Sequence, residues 1–267
     1  MVPMSKTRIE TRITSRRPLK WVMIWFLFMM ASVFAGSIIR SLKDPIVRNP
    51  ANNSDQEWAD RSYGFAPHPE DFDPAVIQVY AARTRGPKKA LAVHTWIATK
   101  RKGADQYIIT QVFGWRLRRG GTALFSQPGI PDKAWARNEP TLLLDLRGEE
   151  VEQIIDEVDL AIIEYPWKDE YTVWPGPNSN TFISWLGLQV PELKLDLPST
   201  AIGKDWRPIT KTFGSSASGT GVQASLYGLL GITLGYEEGL ELNLLGLSIE
   251  LDVFDLSMEL PGIGRLW

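Results

Sequence analysis

The sequence predicts an α+β fold class: a single N-terminal transmembrane helix, then a mixed domain that closes with an antiparallel β-meander. Three patterns carry this prediction. Residues 21–39 form an apolar run without a charge. Residues 149–164 place Val151, Ile154, Ile155, Val158 and Ile162 at helical spacing. Residues 222–260 are rich in Leu and Gly and alternate apolar with polar positions, as a strand does.

The segment 21–39, WVMIWFLFMMASVFAGSII, is 19 residues long. At about 1.5 Å per residue it reaches across a bilayer core. Before it stand Lys6, Arg8, Arg12, Arg16, Arg17 and Lys20 against Glu10, while residues 40–62 balance four basic against four acidic residues. The positive-inside rule then places the N-terminus in the cytoplasm and the domain in the periplasm of an inner membrane. Ala35-Gly36-Ser37 resembles a cleavage site, but the run exceeds the apolar core of about 7–15 residues usual in a signal peptide, which favours a retained single-pass anchor.

Composition narrows the function. The 267 residues are 44% hydrophobic and 22% charged, as in an ordinary globular chain. The net charge of -2 gives no basic field to hold a nucleic-acid backbone. Cysteine is absent, which removes disulfides, thiolate zinc sites and a cysteine nucleophile. His68 and His94 are the two histidines, too few for a multi-histidine metal site, and no calcium-loop spacing is present. No metal and no cofactor is therefore expected.

The chain divides into a basic tail (1–20), the membrane segment (21–39), a proline-punctuated linker (40–75), an α+β core (76–200) and a Gly/Leu-rich β extension (201–267). Within the core, residues 76–80, 90–100 and 107–116 read as strands, the last two as a hairpin with Lys100, Arg101 and Lys102 at a solvated tip. Residues 118–140 read as a loop and 141–146 as a strand. The helix at 149–164 carries a solvated acidic face. Pro175-Gly176-Pro177 interrupts regular structure, and Asn178 or Ser179 can cap a second helix that Pro191 ends. GSSASGTG at 214–221 lacks the Gly-Lys-Ser/Thr ending of a phosphate loop and reads as a flexible linker. The meander after it has a polar face. It either closes the domain core or presents a Leu-rich surface to a membrane or partner.

His94 and Ser179 form the one arrangement with a nucleophilic logic. A serine hydroxyl needs a base, and histidine titrates near neutrality. A helix N-terminus adds N–H groups for an oxyanion. Gln106, Tyr107 and Gln111 are candidates to orient the imidazole. Taken alone, a strand histidine bonded internally and a serine capping its helix explain both residues more simply.

HTWIATK (94–100), VFGWRL (112–117), YPW (165–167), WPGPNSNTFI (174–183), VPELKLDLPSTAIGKD (190–205) and GLELNLLGLSIELD (239–252) together resemble the bacterial membrane-protein family called domain of unknown function 3750. That family has no established activity. More remotely, a strand histidine followed by an Asn-nucleophile-x-x-Phe helix start is similar to circularly permuted papain-like hydrolases, the NlpC/P60 and lecithin–retinol acyltransferase-like group. This resemblance implies a papain-like core, with His94 as base, Ser179 where the group has cysteine, Gln106 as the third member, and Asn178 and Phe182 completing the helix start. It implies a Ser/His hydrolase or acyltransferase acting on cell-wall peptide or lipid, in a cleft lined by Trp96, Trp115, Trp167 and Trp174. The serine in place of cysteine equally implies a retired site. The chain would then be a scaffold that binds lipid, glycan (peptidoglycan) or a membrane-protein complex.

Overall fold

The structure is a computed structural model and describes residues 20–28, 31, 61–84, 91–252 and 256–266. The unbroken apolar sequence AVIQVYAAR makes β1 (Ala75–Arg83), buried along nearly its whole length on both faces. A strand covered on both sides needs no polar alternation. β1 pairs antiparallel with β2 (Val93–Lys100), from Val76 opposite Lys100 to Arg83 opposite Val93. With β3 (Tyr107–Val112), β4 (Leu124–Gly129) and β5 (Thr141–Gly148), these strands form a five-stranded sheet in the order β4-β3-β2-β1-β5.

Two helices, α1 (Val151–Ile163) and α2 (Ser179–Gln189), cover one face of this sheet. Val151, Ile155 and Val158 from α1 and Phe182, Ile183 and Leu186 from α2 pack against Ile77, Val79, Val93 and Ile97. The other face carries Val76, Tyr80, Trp96, Tyr107 and Ile109 beneath Phe65, Phe72 and Trp135.

Residues 213–265 form a second, seven-stranded antiparallel sheet in simple meander order. Its strands are β6 (Phe213–Ser215), β7 (Val222–Leu226), β8 (Leu230–Gly235), β9 (Gly239–Leu244), β10 (Leu247–Asp252), β11 (Ser257–Leu260) and β12 (Gly264–Arg265). Register aligns like with like. Val222, Leu234, Leu240, Leu251 and Met258 make one cross-strand row, and Leu226, Leu230, Leu244 and Leu247 another. Between them run Gln223, Thr233, Glu241, Glu250 and Glu259. The polar rows are the buried ones: Gln223, Thr233, Glu241, Asn243 and Glu250 are 8% exposed or less, whereas Val222, Leu230 and Leu234 are 57–65% exposed. The sheet is inside out.

These findings correct the expected fold class. The described chain is mostly β, built from two antiparallel sheets with few helices, and the α+β papain-like core is not what it forms. Strand content was underestimated because several strands lack alternation. LFSQPG, read as loop, is β4. Among the described residues no helix is long and apolar enough to cross a membrane. Residues 21–28 of the expected transmembrane helix are helical and exposed, while 29–30 and 32–39 lie outside the described residues, as do 1–19 and 40–60.

Residues 62–65, from the end of the segment read as a linker, and residues 214–221 are built into the domain. Asp132 accepts hydrogen bonds from Ser62 Oγ (3.0 Å) and the Phe65 amide (2.8 Å), which ties residues 62–65 to the first sheet. In the 214–221 segment, Ser216 and Ser218 are buried, and the Ser218 amide donates to Glu238 (3.0 Å).

Candidate functional site

Successive residues of a strand point to opposite faces. On β2, Thr95 turns toward α2: its hydroxyl lies 3.1 Å from the Ser179 carbonyl and 2.9 Å from Asn180 Oδ1. His94 turns to the face of Trp96. Its ring stacks on Trp135 at 4.1 Å and on Phe113 at 5.4 Å between centroids. Its Nε2 meets Gln111 Oε1 at 3.0 Å. An amide oxygen only accepts, so Nε2 carries the hydrogen and Nδ1 the lone pair. Burial pushes the His94 pKa down to about 4, and the Gln111 bond opposes this more weakly. The imidazole is therefore neutral at pH 7.

No hydrogen bond joins Ser179 to His94, and Ser179 Oγ makes none among the described residues. Two of the N–H groups expected to hold an oxyanion, those of Asn180 and Thr181, are already engaged. Asn178 caps α2, and its Oδ1 accepts from the Asn180 (2.9 Å) and Thr181 (3.3 Å) amides, while Thr181 Oγ1 accepts from the Asn178 amide (3.1 Å). This reciprocal box satisfies three of the donors that a helix start leaves free, the Asn178, Asn180 and Thr181 amides. Gln106 sits exposed on the turn before β3, and Gln111 is the residue that reaches the imidazole.

The tryptophans do not line one cleft. Trp96 is buried and donates to the Pro131 carbonyl (2.8 Å), whereas Trp167 packs on the opposite face of the first sheet, edge-on to Trp206 at 4.8 Å. Trp115 is exposed beside Arg116 and Arg119. Trp174 is half-exposed and donates to the Leu245 carbonyl (2.8 Å) in the β9–β10 turn.

What the motifs do build is a joint between the two sheets. Asn178 Nδ2 and Asn180 Nδ2 both donate to the Ile202 carbonyl (3.0 and 2.8 Å), and Thr181 Oγ1 donates to the Gly203 carbonyl (2.8 Å). Gly203 has φ +98°, and a Cβ there would stand 2.4 Å from Asn178 Nδ2, so only glycine lets the backbone pass the cap.

Just beyond, Lys204 and Asp205 enter the polar face of the second sheet. Lys204 Nζ meets Glu241 at 2.9 Å and Glu250 at 3.4 Å, and donates to the Leu197 carbonyl. Asp205 accepts from Gln223 (2.7 Å), Asn243 (2.7 Å) and Ser248 (3.1 Å). A small cavity here is also lined by Asp196 and Glu238. Lys204 stays cationic because the surrounding carboxylates outweigh its own burial. One ammonium cannot neutralise several buried carboxylates. Burial pushes the Glu241 and Glu250 carboxyls up to about 8. No cluster of histidine and carboxylate groups among the described residues is arranged to hold a metal ion.

The architecture is thus a two-sheet antiparallel β protein whose motifs converge on a buried polar joint. A family model described as "Protein of unknown function (DUF3750)" matches residues 74–206, and the chain belongs to that family. The match ends at Trp206, at the joint, and leaves out the seven-stranded sheet. No curated protein and no solved structure matches the chain.

Proposed function

We propose that this protein is a membrane-tethered scaffold of the cell envelope, with its domain outside the cytoplasm, that works by binding rather than by breaking bonds. The observation that carries this reading is the exposed apolar face of the second sheet. A monomeric soluble domain rarely leaves such a continuous face in water. The 19-residue uncharged run and the basic tail before it support attachment to a membrane in the expected orientation. Against bond cleavage stand the His94 ring on the opposite face of its strand from α2 and the Asn180 and Thr181 amides already taken by Asn178.

Fractionation of bacteria expressing the full chain tests the reading. The protein should stay with membranes through an alkaline wash, and protease added to spheroplasts should remove the domain. Recovery in the soluble fraction, or a domain cleaved only after lysis, contradicts it. An esterase or amidase activity lost in Ser179→Ala would contradict the non-catalytic part.

A further inference from the structure

We propose that the outer face of the seven-stranded sheet lies on a lipid bilayer surface. This deepens the membrane-tethered reading and rests on it. Three features lead there.

The first is the chemistry of the face. The outward rows of β7 to β10 hold Val, Ala, Leu and Ile and no charged side chain, while the acidic and amide side chains of the same strands point inward. Val222, Leu226, Leu230, Ile232 and Leu234 are the most open of these, whereas Ile249 packs on Leu260 toward the far edge. The inward set is fixed by Lys204 and Asp205, so the sheet cannot turn its apolar side to the core without exposing that network.

The second is a companion surface. Large exposed apolar side chains are concentrated on this sheet, among them Ile232 (48%) and Leu234 (60%), and on the helical residues 21–28, among them Trp21 (70%) and Leu27 (60%). The run 21–39 has the length and the lack of charge that lipid requires, and through it the domain is held beside a bilayer. A fluid apolar phase covers a twisted sheet without needing a complementary protein surface.

The third is dimension. Strands β7 to β10 have five or six residues. A spanning strand needs about 9–11, so this sheet can lie on a bilayer but not cross it. Tyr227 and Tyr236, 42% and 61% exposed, stand just beyond the two ends of β8, and tyrosine suits the boundary between headgroups and acyl chains.

The chain has no cysteine, so single reporters can be placed in the whole protein. Ile232→Cys and Leu242→Cys would carry a bimane on the outer face, and Leu160→Cys would carry it on the exposed side of α1. Each full-length variant, checked by circular dichroism and thermal melting against wild type, is reconstituted into phosphatidylcholine–phosphatidylglycerol vesicles containing doxyl-labelled phosphatidylcholine. The expected result is severalfold stronger doxyl quenching at 232 and 242 than at 160, with iodide reaching 160 only. Equal iodide access at 232 and 160 overturns the proposal while the tethered reading stands. Shielding from both quenchers also overturns it: a disulfide between two Ile232→Cys chains assigns the face to a second copy, and its absence assigns it to the protein's own residues. Failure of the protein to remain with the vesicles overturns both.

Discussion

His94 illustrates how burial decides what a residue can do. Its ring lies among Trp96, Phe113 and Trp135 with one hydrogen bond to Gln111, and its pKa falls to about 4. A histidine whose folded pKa lies below the unfolded value of about 6.5 contributes stability that is present above pH 6.5 and is lost as pH falls through 4. NMR should show the His94 imidazole titrating well below the ordinary histidine value of about 6.5, and His94→Gln should lose less stability between pH 6.5 and 4 than wild type. A His94 titration near 6.5 would contradict the buried, neutral assignment. Its neighbour in the motif behaves differently. Ser179→Ala should change stability by less than about 0.5 kcal/mol, since the hydroxyl makes no hydrogen bond among the described residues. Asn178→Ala should cost roughly 1–2 kcal/mol, because it removes the cap, and more if the Nδ2 bonds to Val173 and Ile202 count fully. Chemical denaturation of the two variants side by side checks this, and equal losses would refute it.

At the scale of elements, the local signals were largely legible. Helical spacing at 149–164 corresponds to α1, and the Asn178 cap with Pro191 beyond brackets α2. The basic turn and the acidic helix face were each read as solvated, yet they pair: Arg101 contacts Glu152, Asp156 and Asp159 at 2.8 Å, and Lys102 contacts Glu149 at 2.7 Å. Residue types predict charge but not which distant element supplies the counter-charge. The choice between Gln106 and Gln111 depended on register in the same way. Ile97 opposes Thr110, so Gln111 falls on the His94 face near the ring, and counting along the chain cannot reveal that pairing. β4 was invisible because Pro128 and Gly129 mimic a loop; the strand sits at the sheet edge, where proline is tolerated.

The second sheet was legible in its alternation and illegible in its sense. Period-two patterning over 240–244 and 247–252 says which residues share a face, not which face meets water. The sequence leaves open whether the Leu rows close the core or face outward, and Lys204 with Asp205 decides it by giving Glu241, Asn243 and Glu250 buried partners. Those carboxyls retain protons that the unfolded chain releases between about pH 4.5 and 8, so their contribution is present below that window and is lost as pH rises through it. Melting temperature should therefore fall from pH 6 to pH 8.5, and Glu241→Gln should make the fall shallower. A melting temperature that is flat or rising over that range would show that the carboxylates are fully compensated.

On the scale of the whole molecule, the family-matching region supplies a conventionally packed sheet-and-helix layer, and the sheet beyond residue 206 supplies an inverted one. The joint at Asn178, Thr181, Gly203, Lys204 and Asp205 holds the two together, so the motif around the α2 start contributes to structure. The function proposed depends on that inversion: an apolar face is available for lipid because the polar face has been turned inward onto Lys204 and Asp205.

The inversion is tested most directly by the melting temperatures, in one detergent, of full-length Leu234→Asn and Asn243→Leu. Ordinary cores punish the first exchange and tolerate the second. Here Leu234→Asn should stay within about 1 kcal/mol of wild type, as a surface exchange does. Asn243→Leu, which leaves Asp205 short of a buried hydrogen bond, should cost roughly 2–3 kcal/mol. The reverse order, with Leu234→Asn the severe variant, would mean that the Leu rows are the core and would contradict the account.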